Sequence, residues 1–215
     1  AGNDLTTGDN NIAIGYQALD LATTNSTDNI AIGYQSMHGN WTTANVDECI
    51  AIGSLSLGGV LTNTAYGTIA IGQSALAALT SGAGNTAVGY TALQQNVTGA
   101  RNLAVGYGAM GLSGGGTCDT SGDNVFIGYN SGGGDWSAGA TATNQYNVCI
   151  GNYTMDSALA GANYNTAVGY SALGALTTGG YNTVIGRICG DALTTGGQNV
   201  FIGNNAAGGT TDVDK

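Results

Sequence analysis

The sequence has no proline and few charges, and these shortages exclude several classes of protein. Its 215 residues carry three basic and thirteen acidic side chains, which gives a formal net charge of −10. Arg101, Arg187 and Lys215 lie far apart and cannot form a basic stripe, so nucleic acid and anionic membranes are not expected partners. No apolar run approaches the roughly 20 residues that span a bilayer. The 39 Gly do not recur at every third position, which excludes collagen.

The residues of an enzyme site are also scarce. The single His, His38, has no identifiable partner that could orient it, and the acidic residues are scattered along the chain. No Gly-rich phosphate loop precedes a helix. Apolar residues reach 42%, which is too many for a disordered chain. We therefore expect an ordered protein that is not an enzyme, with no catalytic residues and no cofactor.

One repeat runs through the whole chain. The phrase Asn-x-(Ala)-(Ile/Val)-Gly-(Tyr), in which the Ala and the Tyr are absent from some copies, recurs with a spacing of 17 to 23 residues. Its eleven Gly lie at positions 15, 33, 53, 72, 89, 106, 128, 151, 169, 186 and 203. Repeats of this length are typical of solenoids, in which each repeat forms one coil. The prediction is an all-β fold over residues 1–215, a parallel β-solenoid of about eleven coils, which we interpret as a fragment or an uncapped segment.

Two aliphatic columns precede the repeat Gly. The position directly before it is always Ile or Val, and the position three before it is Ile, Val or Leu in eight of eleven repeats. Strand side chains alternate between faces, so the two columns lie on one face. We expect that face to line the solenoid interior.

The column between them faces the other way and is also apolar. It comprises Ala13, Ala31, Ala51, Ala70, Ala87, Ala104, Phe126, Cys149, Ala167, Val184 and Phe201. Soluble monomers rarely expose such a row. We predict that it packs against copies of itself around a symmetry axis, with three-fold symmetry favoured. The alternative is that another part of the same coil covers it.

Polar and aromatic columns complete the repeat. Four positions before the Gly, nine of eleven residues are Asn, with Cys49 and Thr68 as the exceptions. Stacked amides can bond to one another or cap turn backbone, and a binding role is the alternative. The Gly column indicates a bend with positive φ or close packing. Tyr follows the Gly in six repeats, as a stacked ladder or as ligand contacts.

The repeat resembles a family of surface proteins. The segment Asn165-Thr166-Ala167-Val168-Gly169-Tyr170-Ser171-Ala172-Leu173 is similar to the head repeats of YadA-type trimeric autotransporter adhesins, and to repeats of bacteriophage tail fibres. The resemblance covers nearly the whole chain. It implies a left-handed parallel β-roll, three chains in one rod, and a role in attachment to surfaces.

Metal and disulfide sites have few candidates. Asp28 and Glu48 would sit on adjacent coils and could share a cation, although Asp is also a common turn residue. Coils two apart are separated by about 10 Å, beyond the ~7 Å that bridged Cα atoms allow. Only Cys118 and Cys149 could therefore form a disulfide. Small buried thiols are the alternative.

The longer connections hold the candidates for glycosylation and ligand binding. Asn-x-Ser/Thr sequons begin at Asn25, Asn40, Asn96 and Asn152. Trp41, Trp136 and Tyr146 lie in long connections and are candidate glycan contacts, because loops on a rigid scaffold often carry recognition. The alternative is that each ring packs over its own coil.

These observations favour a structural function. We predict a segment of an extracellular or viral fibre or adhesin, located outside the cell, on the cell surface or in a virion. Its partners would be copies of itself, with cell-surface glycans as a second class. A subunit of an end-to-end filament is the alternative. An ice-binding solenoid ranks last, because Thr pairs are missing from several repeats.

Overall fold

The structure, a computed structural model, describes residues 1–2, 8–20, 26–39, 41, 46–62, 65–111, 121–136 and 143–209. Within these ranges the regular structure consists of eleven three-residue strands, one in each repeat. They are β1 (Ile12–Ile14), β2 (Ile30–Ile32), β3 (Ile50–Ile52), β4 (Ile69–Ile71), β5 (Thr86–Val88), β6 (Leu103–Val105), β7 (Val125–Ile127), β8 (Val148–Ile150), β9 (Thr166–Val168), β10 (Thr183–Ile185) and β11 (Val200–Ile202).

All eleven strands form a single parallel sheet in sequence order. Each strand pairs with the next one without a register shift, so that Ala31 lies beside Ala51 and Ala51 beside Ala70. Backbone hydrogen bonds continue past the strand ends, as from Gly33 N to Ile14 O at 2.8 Å. The predicted all-β parallel solenoid with one strand in each repeat is therefore confirmed.

The prediction of which face points inward is wrong. The middle residue of each strand is the least exposed of the three and is fully buried in β2 to β10, where Ala31, Ala87 and Val184 are 0% exposed within a single chain. The aliphatic residues on either side point outward, and Ile14 and Ile202 are 58% and 68% exposed. The row that we expected to form the oligomer face, from Ala13 through Phe126 and Cys149 to Phe201, is instead part of the core of each chain.

The narrow cross-section of the coil explains this inversion. The wall opposite the sheet contributes a large side chain four positions after most repeat Gly, such as Leu76, Leu93 and Leu173, all fully buried. With a Leu on one side, Ala on the other fills the space at the density of a protein interior. An Ile in the inward column would overfill it.

Two coils reverse the sizes and support this account. In the seventh repeat the inward residue is Phe126, and the opposite wall carries Gly132 in place of Leu or Met. A Cβ on Gly132 would overlap the Phe126 ring. In the tenth repeat Val184 is matched by Gly190, where an added Cβ would lie 3.6 Å from Val184 Cγ1. A larger inward residue is therefore accommodated by a smaller one across the core.

The repeat Gly combines positive φ with close packing, so both expectations for this column are confirmed. The φ angles of the eleven Gly lie between 127° and 145°. An added Cβ on any of the first ten would overlap the backbone of the next coil. After each Gly the chain forms turns in which positive φ alternates, as at Gln35 (51°) and Met37 (49°). The second apolar element is thus a series of turns.

Candidate functional site

The outward surface of the sheet is the largest candidate site in the described chain. Two columns run along it, both aliphatic except for three Thr in the second, and we call this surface the aliphatic face. One column comprises Ile14, Ile32, Ile52, Ile71, Val88, Val105, Ile127, Ile150, Val168, Ile185 and Ile202. The other comprises Ile12, Ile30, Ile50, Ile69, Thr86, Leu103, Val125, Val148, Thr166, Thr183 and Val200.

Tyrosines border the aliphatic face along the side that follows the Gly. Tyr90, Tyr107 and Tyr129 stack with ring centroids 4.9 Å and 5.2 Å apart, and Tyr16 stacks on Tyr34 at 5.5 Å. This column is half exposed. The predicted ladder is confirmed for these five rings, and we call this side the tyrosine border.

The opposite side of the face ends at a sharp bend five positions before the Gly. We call these residues the corner column. They are Asn10, Asp28, Glu48, Gly67, Gly84, Arg101, Asp123, Tyr146, Tyr164, Tyr181 and Gln198, and their φ angles lie between 56° and 70°. Tyr146, Tyr164 and Tyr181 form a second ladder with centroids 4.9 Å apart in both pairs. We did not predict this ladder, because these tyrosines occupy the column in only three repeats.

The size of the aliphatic face is that of a protein interface. Eleven strands about 4.8 Å apart give a length of about 48 Å, and the six residue steps from the corner column to the tyrosine border give a width of up to about 20 Å. The face therefore covers on the order of 950 Å², compared with about 800 Å² on each partner in a stable complex. Monomers rarely expose a continuous apolar surface of this extent.

A ladder of buried Asn side chains holds the coils in register beneath the bend. Asn165 Nδ2 donates to Asn147 Oδ1 at 3.1 Å and to Gly179 O at 3.0 Å. Asn165 Oδ1 in turn accepts from Asn182 N and Asn182 Nδ2 at 3.1 Å and 3.0 Å. The amides thus bond to one another and also cap turn backbone. Both structural expectations for this column are confirmed.

The ladder is interrupted at its two exceptions. Cys49 occupies one Asn position, and its Sγ lies 3.3 Å from Ala65 O, the carbonyl to which an amide would donate. Thr68 occupies the next position, where its hydroxyl is buried without a hydrogen-bond partner. The carbonyl that would receive an amide at position 68 belongs to Gly82, and Asn85 Nδ2 donates to it at 2.9 Å.

Replacing Thr68 by Asn is expected to stabilise the protein by about 1 kcal/mol. The amide can donate to Gly82 O and accept from Asn85, and the orphaned hydroxyl is removed. The urea midpoint of the variant measures the change. A midpoint below that of the unmodified protein would show that position 68 has no room for an amide.

The corner column also contains the metal candidates and an ion pair. Asp28 Oδ1 accepts a hydrogen bond from Asn10 Nδ2 at 3.0 Å, which fits the turn interpretation. In the described residues, no group of three or more His, Cys, Asp or Glu could hold a metal ion, so Asp28 and Glu48 have no third ligand of these types. Arg101 donates to Asp123 from Nε and Nη2 at 2.6 Å and 2.8 Å. This guanidinium lowers the pKa of Asp123.

The described cysteines are buried free thiols. Cys49, Cys149 and Cys189 are each unbridged, and Cys149 Sγ lies 3.0 Å from Met155 Sδ. Desolvation by burial raises the pKa of Cys149 well above its usual value. The proposed partner in a disulfide, Cys118, lies outside the described residues. Cys149 is a free thiol packed in the core, so the predicted disulfide is not formed.

The structure removes most of the predicted ligand and glycan positions. Trp41 and Trp136 are 1% and 2% exposed, so neither can contact a glycan. Asn96 is buried, and its Nδ2 donates to Gly99 O at 2.9 Å, so this sequon cannot be modified in the folded chain. Asn152 is exposed, whereas Asn25 and Asn40 lie outside the described residues. Tyr146 is exposed but its ring stacks on Tyr164.

One acid has a strongly shifted pKa. Desolvation raises the pKa of Asp156 to about 6, although a hydrogen bond from the Gly133 backbone opposes the shift. A carboxyl with a raised folded pKa stabilises the protein most below its unfolded value, near 3.8, and this contribution is lost as pH rises through about 6.

Replacing Asp156 by Asn is therefore expected to stabilise the protein at pH 7 and to have little effect at pH 4. The difference in melting temperature between the variant and the unmodified protein should grow across this interval, and thermal unfolding at four pH values measures it. A difference that is constant with pH would contradict the raised pKa.

In the described part of the chain, no helix is long and apolar enough to cross a membrane.

Comparisons with known proteins identify no relative. The chain matches no protein-family model, no curated protein and no solved structure.

Proposed function

We propose that this chain is a structural segment of a fibre, in which several copies form one rigid rod by burying their aliphatic faces against each other. The observation that carries the proposal is the aliphatic face itself. It is continuous over eleven strands, its area matches that of a stable interface, and nothing in the described chain covers it.

The shape of the molecule supports a mechanical function. The sheet hydrogen bonds, the Asn ladder and the stacked tyrosines all connect neighbouring coils along the rod axis. Such a scaffold resists bending and can present loops at its surface for attachment, as in an adhesin or a viral tail fibre. The resemblance of the repeat to these proteins supports an extracellular or virion location and three copies in one rod.

The same repeat is also compatible with a filament in which copies stack end to end, and this remains the alternative. The two arrangements bury different surfaces. Lateral association buries the aliphatic face, whereas end-to-end stacking leaves it exposed.

Light scattering after gel filtration tests the proposal. The expected result is a single species of two or more chains, with a mass near three times 21.2 kDa favoured, and short rods of uniform length in electron micrographs. A monodisperse monomer would overturn the proposal. Long threads that lengthen with concentration would support end-to-end stacking in its place.

A further inference from the structure

Two neighbouring members of the corner column, Gly67 and Gly84, have no side chain, and this leaves a notch in the column. It has a volume of about 380 Å³ and is lined by Glu48, Tyr66, Gly67, Ala83, Gly84 and Arg101. An added Cβ on Gly67 would meet nothing within 4 Å, and one on Gly84 would meet only Arg101 Cγ at 3.7 Å. The notch is therefore open space at the edge of the aliphatic face, with an acidic wall and a basic wall.

An exposed side chain of suitable size stands at the same height on the opposite border. Tyr90 belongs to the same coil as Gly84 and is 44% exposed. Its ring stacks on Tyr107, whereas the preceding residue of the tyrosine border is Gln73. Tyr90 lies on the far side of strand β5, six positions after Gly84 and at most about 20 Å from it, and it does not line the notch of its own chain.

Packing around an axis parallel to the rod brings these two features together. Either a two-fold or a three-fold axis of this kind places the tyrosine border of one copy against the corner column of the next copy at the same height. At the level of the fifth coil, the Tyr90 ring then faces Gly84. Its hydroxyl can donate to the Glu48 carboxylate, and the Arg101 guanidinium, which also pairs with Asp123, can lie against the face of the ring.

We propose that Tyr90 of one copy inserts into the Gly67–Gly84 notch of the neighbouring copy, and that this contact fixes the copies parallel and in register. The inference rests on the proposed lateral assembly. The aliphatic face repeats along the rod with few landmarks, so sliding by one coil would still match apolar columns. A single ring in a single notch removes this ambiguity.

The contact is tested by adding a ring at Gly84 and removing the ring at Tyr90. Gly84→Tyr is expected to fill the notch without disturbing the fold, because Tyr146, Tyr164 and Tyr181 occupy the same column with φ near 60°. Tyr90→Ala removes the inserted ring. Each single variant should raise the concentration at which the assembly dissociates at least tenfold, and the double variant should regain much of the loss, since the ring now stands on the other border.

Gln198→Tyr is the matched control, since it adds a ring to the same column outside the notch and should assemble normally. Sedimentation over a dilution series gives the dissociation points, and circular dichroism checks the fold of each variant. Two results would overturn the contact alone, provided that the unmodified protein assembles. In the first, both single variants dissociate at the same concentration as the control. In the second, the double variant loses as much assembly affinity as the two single variants combined. An unmodified protein that is monomeric overturns the proposed function itself.

Discussion

Replacing Asn165 by Ala is expected to lower the free energy of unfolding by about 3–5 kcal/mol. The substitution removes two donated and two accepted hydrogen bonds of a fully buried side chain. It leaves Gly179 O without its amide donor and Asn182 N without its acceptor, both inside the coil. Urea unfolding followed by circular dichroism measures the loss.

The matched control is Asn204→Ala, which truncates an exposed Asn of the last repeat and should change stability by less than about 0.5 kcal/mol. If the two variants lose the same stability, the buried amides do not connect the coils. If Asn165→Ala unfolds completely, Asn165→Ser provides a milder truncation, whose loss should still exceed that of the control.

Placing two lysines on the aliphatic face is expected to dissociate the assembly into single chains. Val88 and Val105 lie on adjacent strands in the middle of the face, and both side chains are partly exposed in one chain. Val88→Lys with Val105→Lys would bury two like charges in each copy of an apolar interface, at a cost of several kcal/mol. The mass by light scattering should fall to that of one chain.

Thr98→Lys with Thr178→Lys is the control for this variant. Both residues are exposed and lie outside the two columns of the aliphatic face, and the substitutions add the same charge. The control should keep the mass of the unmodified protein. An unchanged mass for the Val88 and Val105 variant would mean that the copies associate through another surface.

The sequence was sufficient to predict the fold because its information is periodic. The Gly spacing located all eleven strands, and the Asn column correctly indicated a ladder of stacked amides. The alternation within each strand was also correct. The sequence pattern did not show which face of the strands is inside, because both faces are apolar. The expectation that the larger residues form the core was wrong.

Two features of the sequence could have corrected this assignment. The Asn lies four positions before the Gly and the Ala two positions before it, so strand alternation places both side chains on the same face. A buried Asn ladder therefore requires a buried Ala column. The pairing of Phe126 with Gly132 also indicates that they meet across one core. The burial of Trp41 and Trp136 depends on the paths of irregular connections, which carry no comparable period.

The notch could not be predicted by pattern analysis. Gly67 and Gly84 look like ordinary turn residues in the sequence, since glycine is common wherever φ is positive. The stacking of the coils places Gly67 and Gly84 between Glu48 and Arg101. In the other repeats a side chain occupies the corresponding position, whereas here the space is open.

The central claim is that the alanine column lies inside each chain and the aliphatic columns lie outside it. The most direct test compares thermal unfolding of Ala87→Asp and Val88→Asp, neighbours on the same strand, in dilute solution. We predict that Val88→Asp retains a cooperative transition, whereas Ala87→Asp, with an unpaired charge in the core, has none. A stable Ala87→Asp beside an unfolded Val88→Asp would contradict the account.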